Sequence, residues 1–382
     1  MTIASYIEIF VLFAIALITT IALTPFAKKI AVAFDAIDYP DARRVNKEPI
    51  PRMGGIAIFG GIVVAFIILE IGVNFFGWFG YRAAMMSKGI NIPVVALGVV
   101  CMFATGLVDD IVGLKPKVKF LMQIVAATIV CAGGIQFAFI QNPFVPGGLI
   151  QFGIFAWPIT IFYLVAFANI INLIDGLDGL ASGICIITAL TIGIYSALAN
   201  IVEAIVLPFI LVGTCLGFLK YNHHPAKIFM GDSGSLTLGL FLGIVSLLAI
   251  ARTAFVFSLL VPIMAAGVPI TDTLVAIIRR KKAHQPVGQA DKGHIHHRLL
   301  QAGFSQTKTV AIMWIWSAVL SICGLAFAEL EGIAKLLSLF IAAIITGYAI
   351  YKLRLLEPVL QHYYNPRKRR KKVSDDQKTK HD

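Results

Sequence analysis

Charge is what this sequence has least of. Asp, Glu, Lys and Arg together make up 14% of its 382 residues, against 58% hydrophobic residues and a mean hydropathy of +0.86. A soluble domain carries roughly a quarter of its residues as charges, so the deficit excludes that class and reads as a polytopic membrane protein. Paired cysteine spacing is also missing. Cys101, Cys131, Cys185, Cys215 and Cys323 all fall inside apolar stretches, which excludes a disulfide framework or a thiolate metal site and leaves them as small buried hydrophobes. No basic segment precedes the first apolar run, and Lys28-Lys29 follow it, so that run reads as a retained anchor rather than a cleaved signal peptide. No nucleic-acid-binding module is recognisable. The net charge of +12 gathers in loops and the tail, where it suits anionic lipid and phosphate-bearing substrates. An internal repeat is absent too, which weighs against inverted-repeat transporter designs.

What the chain does have is apolar runs of the roughly 17–25 residues that span hydrocarbon. Eleven can be marked, at 3–25, 53–72, 92–108, 119–135, 152–171, 179–197, 202–219, 234–250, 255–278, 309–328 and 333–353. The expected architecture is an all-α transmembrane bundle over 1–353, followed by a basic, disordered cytoplasmic tail over 354–382. Basic residues are retained on the cytoplasmic side. With the N-terminus outside and the C-terminus inside, only Arg82, Lys88, Arg252 and Lys335 of the 32 Lys and Arg fall on the outer face. The run Arg367-Lys368-Arg369-Arg370-Lys371-Lys372 then lies against anionic lipid.

Polar groups at membrane depth are costly and mark function by default. The first cytoplasmic loop carries Asp35, Asp38 and Asp41, then Arg43-Arg44-Val45-Asn46-Lys47 and Pro51-Arg52-Met53-Gly54-Gly55. It reads either as an ordinary positive-inside loop or as a basic rim over a phosphate site. The third run ends at Asp109-Asp110, adjacent carboxylates whose repulsion asks for a cation or for the lysines at 115, 117 and 119. The fifth ends at Asn172-Leu173-Ile174-Asp175-Gly176-Leu177-Asp178-Gly179. Asn172 and Asp175 share a helical face, and Asp178 joins them only if the glycines break the helix. Phe229-Met230-Gly231-Asp232-Ser233-Gly234 sets a carboxylate in a glycine-flanked turn between two spans, a place where hard oxygen ligands can meet Mg²⁺. The same letters match the nucleophile segment of chymotrypsin-like proteases, whose all-β chain is lacking here. Asp272 lies two turns before Arg279-Arg280-Lys281-Lys282 and reads as a structural partner for a basic neighbour. In His294-Ile295-His296-His297-Arg298, a zinc site would need a fourth ligand that is not nearby. Donation to phosphate or uracil oxygens fits those imidazoles better.

All these groups fall at one membrane face, whereas a transporter would place its site near the midplane. Acids for a metal and bases for phosphate in a membrane setting suggest phosphoryl transfer from a soluble nucleotide donor to a lipid acceptor. Taken in order, Pro51 to Gly55, Val108-Asp109-Asp110, Asn172 to Gly179, Phe229 to Gly234 and His294 to His297 resemble the motifs of the polyprenyl-phosphate N-acetylhexosamine-1-phosphate transferases. These are relatives of the phospho-MurNAc-pentapeptide translocase, and the resemblance covers nearly all of the chain to residue 353. The UDP-N-acetylglucosamine branch of that family carries His-x-His-His, as here, and the translocase branch three consecutive histidines. The resemblance therefore implies transfer of N-acetylglucosamine 1-phosphate from UDP-GlcNAc to undecaprenyl phosphate at a cytoplasmic cleft of the cell membrane. That reaction initiates a teichoic-acid-type or O-antigen polymer.

By the same resemblance, Asp232 would ligand Mg²⁺, or Mn²⁺ as its substitute, on the UDP-sugar pyrophosphate, while Asp109 and Asp110 would sit by the acceptor phosphate, either removing its proton or joining the metal site; these three form the catalytic set. Asn172 and Asp175 line the nucleotide pocket, Asn222 and Phe229 lie near uridine, and Lys47, His294, His296, His297 and Arg298 hold phosphate or sugar oxygens. Arg52 departs from the translocase pattern, which often has Thr there. The alternatives are phospho-MurNAc-pentapeptide transfer, a CDP-alcohol phosphatidyltransferase whose motif spacing is absent, and a lipid or ion transporter. Sugar identity, polyprenol length and homodimer formation stay open.

Overall fold

The computed structural model describes residues 3–40, 48–78, 81–137, 139–141, 149–250, 259–283, 285 and 293–357. Its helices are α1 (Ile3–Ala33), α2 (Gly55–Phe75), α3 (Tyr81–Ser87), α4 (Ile92–Val112), α5 (Pro116–Ala132), α6 (Ala156–Ile174) and α7 (Leu180–Leu198). They continue with α8 (Val206–Asn222), α9 (Gly231–Ile250), α10 (Leu260–Ala265), α11 (Gly267–Lys282), α12 (Ile295–Gln301), α13 (Gln306–Glu329) and α14 (Gly332–Lys352). Strands among the described residues are confined to two short antiparallel pairs, β1 (Ile37–Asp38) with β2 (Ile50–Pro51) and β3 (Phe139–Gln141) with β4 (Leu149–Gln151). A helix satisfies its own backbone, which hydrocarbon cannot do, and the protein is accordingly an all-α, polytopic membrane bundle.

Nine helical stretches among the described residues are long and apolar enough to cross a bilayer. Two of the eleven expected runs take another form. α5 has 17 residues, the short end of what spans. The run expected over 255–278 contains the break between α10 and α11 at Ala266. Pro269 explains that break, because a proline has no N–H for the carbonyl four residues back and its ring crowds that carbonyl. The freed carbonyl is that of Ala265. It accepts instead from the Thr188 hydroxyl of α7 at 3.0 Å and the Ser317 hydroxyl of α13 at 3.3 Å. α1, by contrast, continues through Pro25 to Ala33, past the end of its apolar run.

α9 is the axis of the bundle. Every residue from Ser233 to Ile250 is buried, as suits a helix that is apolar all round, and α2, α4, α6, α7 and α8 pack around it. α14 packs on α13 and buries only Ser338 and Ala342. One contact sets the site: α4 crosses the start of α9 at Gly106, where a β-carbon would collide with the Asp232 main chain. The carboxylate of Asp110, one turn further along α4, thereby reaches the first N–H groups of α9.

Candidate active site

The first turn of α9 leaves N–H groups without partners inside the helix. Asp110 takes them. Its Oδ1 accepts from the Asp232 N–H at 2.8 Å, and its Oδ2 accepts from the Ser233 N–H at 3.0 Å and the Ser233 hydroxyl at 2.6 Å. A buried carboxylate from one helix thus caps another, with the favourable dipole at that end. Gly231 makes the approach sterically feasible: its φ is +69°, and a β-carbon there would meet the Arg52 carbonyl and the Asp110 carboxylate. The segment before it is held by main chain. Phe229 N–H donates to the Pro51 carbonyl at 2.8 Å, and Gly54 and Gly55 donate to the carbonyls of Phe229 and Met230 at 3.0 and 2.8 Å. Pro51 to Gly55 is therefore a backbone template for the Asp232 turn as well as part of a basic loop.

Asp232 projects from this turn between α4, α5 and α6. Its Oδ1 accepts from the Asn172 amide at 2.7 Å, and the same amide donates to the Ser235 hydroxyl at 2.9 Å. Its Oδ2 pairs with the Lys119 ammonium, which also reaches Asp109 Oδ2 at 3.2 Å. Asp109 Oδ1 accepts from the Leu114 N–H at 2.6 Å. Lys119 offsets Asp109 of the adjacent pair, and the first N–H groups of α9 offset Asp110.

α6 ends at Ile174, and glycine breaks the chain before α7, with Gly179 at φ +76°. That break turns Asp178 into the same cavity as Asn172 and Asp175. Asp178 is fixed there by His224 Nδ1 at 2.7 Å and by the Ala226 N–H at 3.1 Å. Burial, and then the charges of Asp232, Asp110 and Asp178, push Asp175 up to about 8. It is the carboxyl here that most needs a nearby positive charge in order to ionise.

The histidines form the opposite wall. Asp272 of α11 is buried; its Oδ1 accepts from the Ile295 N–H at 2.8 Å, and its Oδ2 lies 2.9 Å from His294 Nδ1. The His294 and His296 rings lie nearly parallel with centroids 6.0 Å apart, and the His296 and His297 centroids are 4.3 Å apart. His296 is buried, and its Nδ1 has no partner among the described residues. Burial, followed by the neighbouring His297, lowers its pKa to about 3, so it is neutral at physiological pH. The two walls meet where His296 passes over Gly176, at a distance that leaves no room for a side chain.

Between the walls lies a cavity of about 340 Å³. Of the residues expected at the site, Asp110, Asn172, Asp175, Phe229, Asp232, His296 and His297 line it. Asp109 and His294 stand directly behind, the first joined to Asp232 through Lys119 and the second held by Asp272. Asn222 is elsewhere. Its Oδ1 accepts from the Gly179 N–H and the Ser182 hydroxyl, each at 3.1 Å, and its amide donates to the Ile228 carbonyl at 3.0 Å, so it ties the α7 and α9 entries together. Arg298 donates to the Glu357 carbonyl at 2.6 Å and does not line the cavity. Lys47 lies outside the described residues, as do most of the 354–382 tail and residues 41–46 of the basic loop. Ser233, His224 and Gln306 enter the site unforeseen. Only a capping hydroxyl after the Gly-Asp pair could have flagged the first, and nothing local the other two.

The donor set toward the cavity is oxygen-rich, which is hard-cation chemistry. Among the described residues no three His, Cys, Asp or Glu converge on a single point. Mg²⁺ needs no such cage, because it keeps waters and takes one or two carboxylates plus substrate phosphates. Asp109 and Asp232 already converge on one cation, the Lys119 ammonium. The residues fit a divalent ion.

Fold and site together define an integral-membrane protein whose helix ends enclose a cavity lined by carboxylates and histidines. The chain belongs to glycosyl transferase family 4, whose description matches residues 92–250. It is 38% identical over 339 residues to the probable undecaprenyl-phosphate N-acetylglucosaminyl 1-phosphate transferase of Bacillus subtilis (strain 168), covering 89% of each chain. It is 37% identical over 326 residues to the decaprenyl-phosphate N-acetylglucosaminephosphotransferase of Mycolicibacterium smegmatis, covering 80% of this chain and 79% of the relative. A phospho-N-acetylmuramoyl-pentapeptide-transferase of Desulforamulus reducens is 32% identical over 313 residues, covering 75% of this chain and 85% of the relative.

Proposed function

We propose that the protein transfers N-acetylglucosamine 1-phosphate from UDP-GlcNAc to undecaprenyl phosphate. UMP is released, and the lipid-linked pyrophosphate sugar that starts a teichoic-acid-type wall polymer is formed. The observation that carries this reading is the meeting of carboxylates from α4, α6 and α9 with the histidines of α12 around one cavity. The names of the relatives supply the donor and acceptor classes.

An acceptor phosphate oxygen forms a bond to the β-phosphorus of the UDP-sugar while the bond to the UMP oxygen breaks, with both substrates bound together. Asp232 and Asp109 would hold Mg²⁺, or Mn²⁺ in its place, which neutralises charge on the pyrophosphate when bound. Asp110 keeps the Asp232 turn in register, Asn172 orients the Asp232 carboxylate, and Asp175 lines the nucleotide side. His296 and His297 present imidazoles to phosphate or sugar oxygens. In the N-out, C-in orientation the cavity faces the cytoplasm, where UDP-sugars are found, and the polybasic tail rests on anionic lipid of the cell membrane.

The deciding assay supplies UDP-GlcNAc, UDP-GalNAc and UDP-MurNAc-pentapeptide separately to the purified protein with undecaprenyl phosphate and measures UMP. UMP from UDP-GlcNAc is expected. Release from UDP-MurNAc-pentapeptide alone would move the protein to the peptidoglycan reaction, and release from none would end the transferase reading. Exchange of labelled UMP into UDP-GlcNAc by lipid-free protein would replace direct transfer with a covalent intermediate.

A further inference from the structure

Arg52 is the one guanidinium or ammonium among the described residues that line the cavity, where the other ionisable groups are aspartates and histidines. Its main chain is committed to the fold: the N–H donates to the Ala36 carbonyl at 2.9 Å, and its carbonyl sits against Gly231. Its side chain is only partly committed. Nη2 donates to the Asp110 main-chain carbonyl at 3.1 Å, while Nε is sealed from water without an acceptor among the described residues. A sealed N–H without a partner is costly, and the Nε of Arg52 is such a group. A planar fork of donors held in this state matches a tetrahedral oxyanion, which can accept from two of its N–H groups at once.

We infer that Arg52 is a substrate-binding residue that donates its guanidinium to a phosphate oxygen in the cavity. The inference rests on the proposed transferase reading for which phosphate is meant. The oxygen belongs either to the pyrophosphate of the UDP-sugar or to the polyprenyl phosphate, and one Arg52 fork on α2's leading segment serves one of them. The Nη2 bond to Asp110 keeps the fork beside the carboxylate that fixes the Asp232 turn, so phosphate and turn are held by one frame.

Arg52→Gln preserves a donor for the Asp110 carbonyl and removes the charge; Arg52→Lys restores charge without the fork. In the glutamine variant, KM for one phosphate substrate should rise about 10- to 100-fold, the size of one lost charge-assisted hydrogen bond. The melting temperature should hold, and lysine should recover part of the loss. A rise confined to polyprenyl phosphate assigns the acceptor, and one confined to UDP-GlcNAc assigns the pyrophosphate. Unchanged KM values, or activity that falls only in step with melting temperature, would overturn the assignment. A second arm needs no turnover: inorganic pyrophosphate without divalent metal should raise the melting temperature of the wild type and not of Arg52→Gln. No wild-type shift, or equal shifts, would also overturn it. That arm can succeed even if no UDP-sugar releases UMP, which separates failure of this inference from failure of the transferase reading.

Discussion

The carboxylate wall and the histidine wall are built with the same device and use it differently. In each, a buried aspartate from one helix accepts at the first turn of another: Asp110 of α4 takes two N–H groups of α9, and Asp272 of α11 takes the Ile295 N–H of α12. On the carboxylate wall the capping residue itself lines the cavity beside the residue it positions. On the histidine wall Asp272 stays behind, and only His296 and His297 reach the cavity. The capped helices also differ. α9 is the 20-residue axis of the bundle, whereas α12 has seven residues, too few to hold a direction without outside anchoring. Damage to the first cap should therefore reach chemistry and stability together, and damage to the second should reach substrate binding.

The largest effect is expected at Asp232, where Asp232→Asn should lower UMP release about 10²- to 10³-fold while the protein still purifies as a folded bundle. Near-normal turnover would remove Asp232 from the chemistry. Next is Asp110→Ala, which strands two α9 N–H groups and a buried hydroxyl. A loss of about 1–3 kcal/mol should appear as a lower melting temperature alongside lost activity. A variant that loses activity at full stability would make Asp110 a reacting group rather than a cap. Asp272→Asn can still accept from Ile295 but turns an amide toward His294 Nδ1. It should raise KM for the UDP-sugar by about tenfold with kcat little changed, and an equal fall in kcat would break the contrast between the walls.

The smallest test uses pH. Asp175, raised to about 8, is protonated in the metal-free fold. It contributes stability that is full below its unfolded value of about 4 and is lost as pH rises through about 8. His296, lowered to about 3, behaves in the opposite sense. Its contribution is present above about 6.5 and drains away as pH falls toward about 3. Melting temperature against pH in chelator should therefore slope down on the alkaline side in an Asp175-dependent way and on the acid side in a His296-dependent way. Asp175→Asn should flatten the first slope and His296→Gln the second, and added Mg²⁺ should relieve only the alkaline one.

Much of this was legible in the residues. The apolar runs set the helices, and the placement of Asp109-Asp110, Asn172, Asp175 and Asp232 at span ends put them on one face. Local pattern does not show the break at Ala266 within 255–278, because the effect of Pro269 depends on whether Thr188 and Ser317 are there to donate to the freed carbonyl. Asn222 was illegible for a similar reason: a polar residue before a turn looks the same whether it faces a ligand or ties α7 to the segment before α9. Asp178 joins the site only through the break between α6 and α7, which no local pattern guarantees.

By itself the sequence determined the solvent, since a chain this poor in charge can fold only where hydrocarbon covers it, and it determined which residues are costly enough there to need a purpose. Only the tertiary structure decided how those purposes divide. Asp109 and Asp110 are neighbours of identical chemistry, yet one faces Lys119 and the other caps α9. That difference comes from the close crossing at Gly106 and the left-handed turn at Gly231, which bring one carboxylate and not its neighbour within reach of open N–H groups.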